Sequence, residues 1–132
     1  MSVEITERMR DGVVILALKG RLTVGEATSV HEKVNQVLAS GCLNLVLDLS
    51  AVDYIDSMGL GSLVKGFTSV KKAGGALKLL SLNKRNVELL LLTKLHTIFE
   101  VFAEEGDAVN SFFPDRVFKR FDILNFVQEQ EI

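Results

Sequence analysis

Leu45-Val46-Leu47-Asp48-Leu49-Ser50-Ala51-Val52-Asp53-Tyr54-Ile55-Asp56-Ser57-Met58-Gly59-Leu60-Gly61 passes from one kind of structure to another. The run Leu43–Leu49 is almost continuously apolar, as expected of a strand covered on both faces. Ser50 to Ile55 reads as the loop that follows it. Asp56 and Ser57 then stand where the loop becomes a helix, and either side-chain oxygen can accept a hydrogen bond from the helix's first free N–H groups. From about Met58 to Ala73, apolar residues recur at helical spacing (Leu60, Leu63, Val64, Phe67, Val70), and Gly74-Gly75 ends the element. A buried strand feeding an amphipathic helix is the repeating unit of an α/β fold.

Upstream, Val3, Ile5 and the residues to Met9 read as a first strand. Asp11-Gly12 is a tight hairpin signal. Val13–Leu18 is a second, more deeply buried strand that ends at Gly20-Arg21-Leu22, and the two pair antiparallel. Thr23-Val24-Gly25-Glu26 has the spacing of a capping box, a hydroxyl followed three residues later by a carboxylate. Ala27, Val30, Val34 and Leu38 mark the first helix, with Gly41 as its left-handed stop. A helix between the second and third strands makes that connection a crossover, so those strands pair parallel. Downstream, Ala76–Leu80 is a strand. Asn83 caps a third helix that runs to about Leu92, with Val87, Leu90 and Leu91 inward. Ile98–Phe102 alternates as a last short strand, and Glu105–Phe112 forms a fourth helix with acid at its start, as the helix dipole favours. Phe113-Pro114-Asp115 breaks that helix. Val117, Phe118, Phe121, Leu124 and Phe126 offer an apolar stripe for a fifth. This divides the chain into a domain over 1–112 and a C-terminal extension over 113–132. A helix this short is marginal alone in water, so it packs on its own domain, on a second copy as a homodimer contact, or on a partner; its own domain is favoured.

Composition narrows the function. The 132 residues carry a formal charge of −2, which leaves no electrostatic footprint for nucleic acid. The single cysteine, Cys42, allows no disulfide within one chain and reads as a small core residue. The N-terminus lacks the pattern of a secretory signal, and no apolar run reaches the ~20 residues of a membrane span. A cytoplasmic domain without membrane insertion is expected. His31 and His96 lack the spacing of a zinc site and read as solvated. Asp48, Asp53 and Asp56 form a loose acidic group, for which turn and cap roles are commoner than cation binding. The Gly-x-Ser-x-Gly elbow is missing, and the glycines fit no phosphate-cradling pattern. These residues point to neither an enzyme nor a cofactor protein. Ser57 either takes part in capping alone or is an exposed hydroxyl that another protein modifies.

The order of elements, together with Leu18-Lys19-Gly20-Arg21-Leu22, the segment Leu45–Gly61 and Ala73-Gly74-Gly75-Ala76-Leu77-Lys78-Leu79, resembles the STAS domain, specifically the bacterial anti-sigma factor antagonists. The likeness runs in order over roughly residues 3 to 112. It implies a single sheet with an N-terminal antiparallel hairpin, the remaining strands largely parallel, and helices mainly on one face. It also implies a partner switch. The dephosphorylated protein binds an anti-sigma factor that is usually also a serine kinase, and the sigma factor is freed. The kinase phosphorylates the serine of Asp-Ser-x-Gly, here Ser57, and a PP2C-type phosphatase resets it. The docking surface would comprise Thr23, Asp56, Ser57, Met58, Gly59, Leu60 and Gly61. In that surface Gly59 and Gly61 clear space beside the hydroxyl for another backbone, and Met58 and Leu60 add apolar contact, although Leu60 belongs first to the helix's core stripe.

Two positions depart from the family pattern. Thr23 stands where aspartate is frequent, keeping a cap but losing a charge associated with kinase contact. Lys94 stands where glycine often ends the third helix. A left-handed stop costs more at lysine, so the turn there is expected to be rebuilt. The alternative to a switch is a constitutive scaffold or adaptor of the same fold, in a signalling assembly or as a soluble subunit of a membrane transport complex.

Overall fold

The chain is seen in a computed structural model that describes residues 3–123, 125 and 126. Five strands, β1 (Glu4–Arg10), β2 (Val13–Leu22), β3 (Asn44–Ile55), β4 (Ala76–Leu80) and β5 (Val101–Phe102), form one sheet in the order β1-β2-β3-β4-β5. The hairpin β1–β2 is antiparallel and every other pairing is parallel. Asp11 and Gly12, at φ 53° and 80°, make the tight turn that the Asp-Gly pair predicts. The helices α1 (Ala27–Ala39), α2 (Ser57–Lys72), α3 (Lys84–Leu92) and α4 (Glu105–Asn110) connect or follow the strands.

The apolar run of β3 explains its place at the sheet's centre. Leu45, Leu47 and Leu49 lie in the larger core with the buried residues of α1, α2 and α3. Val46 points to the other face, into a smaller core with Val13, Ile15, Leu80, Phe102 and the α4 residues Ala108 and Val109. Three helices therefore cover one face, and α4 with the following phenylalanines covers part of the other. At the sheet's outer edge, Arg8 and Arg10 of β1 pair with Glu105 at the start of α4, Arg10 at 3.1 Å. Arg8 is the main cause holding the Glu105 carboxyl below its ordinary pKa, and Arg10 acts in the same direction.

Several boundaries differ from expectation. Ser50–Ile55 is strand, not loop. β3 carries one extra residue opposite Ala17–Lys19 and another, Asp53, opposite Gly20–Arg21, and the pairing resumes past each, so that Lys19 faces Ala51, Gly20 faces Val52, Arg21 faces Tyr54 and Leu22 faces Ile55. Bulges of this kind re-aim a strand without ending it. Of the alternating run Ile98–Phe102, only Val101–Phe102 is strand, because a 3-10 turn over Leu95–Thr97 occupies the preceding chain. α4 stops at Asn110, two residues early. The turn after α3 is not rebuilt: Lys94 itself takes the left-handed conformation at φ 61°.

The expected fifth helix does not begin at Val117. Val117–Asp122 is irregular, Ile123, Asn125 and Phe126 are helical, and Leu124 lies outside the described residues. Contacts with the domain explain the irregular course. The Phe121 N–H donates to the Val101 carbonyl at 2.9 Å, and the Phe118 ring meets Phe102 edge-on at 6.1 Å. Val117, meant to start the stripe, is 91% exposed.

Candidate functional site

The site forms where β2 and β3 end together. The Asp56 N–H donates to the Leu22 carbonyl at 3.2 Å, fixing the last residue of β2 to the first turn of α2. Asp56, extended at φ −95°, is the N-cap, and its carboxylate accepts from the Gly59 N–H at 2.8 Å. The choice between two possible caps is thus resolved in favour of Asp56. Ser57 is the first helical residue. It is exposed, and its hydroxyl makes no hydrogen bond among the described residues.

Gly59 serves the domain's own packing. A Cβ there would lie 2.0 Å from the Leu22 carbonyl oxygen, so only glycine lets α2 sit on the end of β2. This corrects the expectation that Gly59 clears space for another molecule's backbone. Gly61 is not required by the domain's own packing, since a Cβ there would meet nothing within 4 Å. Leu60 is buried at 7% exposure and turns into the larger core. Met58, by contrast, is 54% exposed. Of the two apolar side chains flanking Gly59, Met58 is the one presented outward.

Thr23 does not cap α1. Residues 23–26 form a turn in which the Thr23 carbonyl accepts from the N–H groups of Glu26 and Ala27, each at 3.0 Å. The Thr23 hydroxyl donates to the Glu26 carboxylate at 2.7 Å, and Glu26 is buried. The spacing that resembled a capping box therefore produces a side-chain pair one turn before the helix, whose own N-cap, Glu26, makes no side-chain cap bond. Thr23 adjoins Leu22 in the chain but its hydroxyl is committed inward.

A shallow groove of about 360 Å³ runs between the first turns of α1 and α2. Ser57, Met58 and Gly61 line it from α2, as does Lys65 one turn further on. Val24, Thr28 and His31 face them from the turn and from α1. The sequence reading missed Lys65 and His31. Lys65 was legible, because Ser57, Gly61 and Lys65 are spaced four apart and share a helix face. His31 was not, because its role depends on how α1 crosses α2. The acidic group is not gathered into a site: Asp48 pairs with Arg8 at 3.4 Å and accepts from the Ser50 N–H, while Asp56 caps α2.

A family model described as the STAS domain matches residues 4–108. An anti-sigma-B factor antagonist of Bacillus subtilis is 31% identical over 109 residues, covering 83% of this chain and 99% of the relative. A protein of the same description from Listeria monocytogenes is 33% identical over 107 residues, covering 81% and 93%. A crystal structure from Thermotoga maritima, described as that of a candidate anti-sigma factor antagonist, superposes with a TM-score of 0.77 at 30% identity, covering 81% of this chain and 92% of the other. Among the described residues, no helix is long and apolar enough to cross a membrane.

Proposed function

The chain belongs to the STAS domain family, and from that premise we propose that it is an anti-sigma factor antagonist switched by phosphorylation of Ser57. In the unmodified state it docks an anti-sigma factor that is also a serine kinase, through the exposed Ser57, Met58 and Gly61 and the groove beside them, and the sigma factor is released. Phosphate on Ser57 ends the docking, and a PP2C-type phosphatase restores it.

The observation that carries this reading is the division of labour between Asp56 and Ser57. Asp56 does the capping. The Ser57 hydroxyl is exposed and holds no part of the fold together, so it can be modified without loss of the helix. A phosphate adds about −1.5 to −2 charges. At the N-terminus of α2 that charge is tolerated by the helix dipole, but a docked partner would have to desolvate it. A loss of about 3 kcal/mol at an interface corresponds to roughly a hundredfold weaker binding.

The test is to incubate the protein with its cognate kinase and ATP, locate the phosphate, and measure anti-sigma factor binding by Ser57→Asp and Ser57→Ala. Phosphate on Ser57 alone is expected, with binding weakened about a hundredfold in Ser57→Asp and retained in Ser57→Ala. Phosphate elsewhere with Ser57 untouched, or binding indifferent to Ser57→Asp, would sink the proposal. Thr23→Asp belongs in the same assay, combined with Glu26→Gln because an aspartate at 23 would otherwise meet the Glu26 carboxylate that the Thr23 hydroxyl now contacts: faster phosphorylation than in Glu26→Gln alone is expected, and an unchanged rate would show that position 23 is not read by the kinase.

A further inference from the structure

Four of the protein's arginines are paired with acids. Arg8 and Arg10 bind Glu105, Arg116 meets Asp11 at 2.9 Å, and Arg120 meets Glu100 at 3.6 Å. Among the described residues, Arg21 and Arg85 have no carboxylate partner. Both are exposed, and both stack on one ring: the Arg21 guanidinium lies 4.7 Å from the centroid of Tyr54 and that of Arg85 lies 3.9 Å from it.

Their placement follows from the sheet. Arg21 is the register partner of Tyr54 across β2 and β3. Arg85 comes from the first turn of α3, on the far side of β3, and its Nη1 donates to the Ile55 carbonyl at 3.1 Å and to Asn86 Oδ1 at 3.2 Å. The two cations therefore bracket the junction that delivers Asp56 and Ser57. A guanidinium stacked on an aromatic ring has its orientation fixed while its in-plane N–H donors stay available for two-pronged contact with a carboxylate.

We infer that Arg21 and Arg85, stacked on Tyr54, form a shelf that receives the carboxylates of an acidic segment of the protein docked at Ser57. This rests on the docking role proposed above. Two oriented cations whose charge no carboxylate of the described residues offsets, at the rim of a protein-binding surface, favour an acidic partner, through encounter rate and register as well as affinity. The shelf is distinct from the α1–α2 groove, whose lining includes neither arginine nor Tyr54.

The probe is a tetraglutamate peptide, titrated at low salt into the full chain while the arginine side-chain N–H signals are followed by NMR. The Arg21 and Arg85 signals should move and those of Arg8, Arg10, Arg116 and Arg120 should not. Arg21→Gln, which loses no hydrogen bond of the fold, should raise the half-saturation point about five- to tenfold, and Arg85→Lys, which keeps the charge, should raise it less. Shifts confined to the groove around Lys65 and His31, or an unchanged titration in Arg21→Gln, would overturn the shelf. So would inorganic phosphate moving the same two signals at lower concentration than the peptide, since the site would then select a phosphoryl group.

A second arm separates this inference from the switch. If Ser57→Asp abolishes binding of the anti-sigma factor and Arg21→Gln leaves it unchanged, the shelf is refuted and the switch stands. If Arg21→Gln weakens binding and Ser57→Asp does not, the shelf stands and the switch is refuted.

Discussion

At the residue scale, Gly59 and Gly61 look alike in sequence and do opposite things. Gly59 sits where a Cβ would come within 2.0 Å of the Leu22 carbonyl oxygen. The obstacle is backbone at the end of a paired strand, so it cannot swing aside as a side-chain tip would. Gly59→Ala is expected to cost about 3 kcal/mol, read as a lower urea midpoint. Gly61 is exposed on the same helix with open space around it. Gly61→Ala should stabilise by about 0.5–1 kcal/mol, because alanine gives up less backbone entropy in a helix. Equal effects of the two substitutions would refute the assignment of Gly59 to internal packing. The Asp-Ser-x-Gly motif thus combines an internal constraint with an external surface. A sequence shows which residues are glycine, but the carbonyl that demands one of them comes from a strand far away in the chain.

At the element scale, the five strands and the first four helices seen in the sequence are present, the fifth helix does not begin where its apolar stripe placed it, and the ends of the others are where expectation and structure part. The Ser50–Ile55 segment has the serine and aspartates of a loop, yet it is strand because β3 takes up its extra residues in bulges and stays alongside β2. That pairing is a property of two elements together and leaves little trace in either alone. The link between β1 and α4 is of the same kind. Arg8, Arg10 and Glu105 are far apart in sequence, and the fold brings them together across the hairpin's edge. It also gives a pH dependence whose sign can be worked out. Hydrogen bonding from Arg8, first among the causes, lowers the Glu105 pKa from its ordinary 4.5. A carboxyl depressed on folding contributes stability that is complete above its unfolded pKa and is lost as pH falls through the folded value. The loss therefore sets in below about pH 4.5. Glu105→Gln should flatten the acid limb of a stability–pH curve there and lower stability slightly at neutral pH. Because the pair is partly exposed, added salt should shrink the difference. A wild-type curve already flat below that pH would refute the coupling.

At the scale of the whole molecule, the two faces of the sheet are protected differently. The face carrying α1, α2 and α3 was readable, since each helix has an apolar stripe and a strand on either side of it. The opposite face was not, because α4 is short and the chain after it covers the rest without regular structure. Phe102 is fully buried there, with Phe112, Phe113 and Phe118 packed at the margin of its core. Phe121 ties the same segment to the sheet through the Val101 carbonyl, on the side of β5 away from β4. The aromatic residues that suggested a separate helix act as a cover for the last strand. A chain ending at Arg116 should therefore lose about 3 kcal/mol of stability, from the exposed Phe102 surface and the unmade contacts of Phe118 and Phe121. It should also associate at high concentration, because an uncovered strand edge pairs with other edges. Phe118→Ala, which leaves the backbone bond of Phe121 in place, should cost about 1–2 kcal/mol without promoting association. Urea titration and sedimentation measure the two effects separately. A truncated chain as stable and as monodisperse as the full one would show that the segment has no covering role, whereas a dimer of the full chain that dissociates on truncation would assign its phenylalanines to a second copy instead.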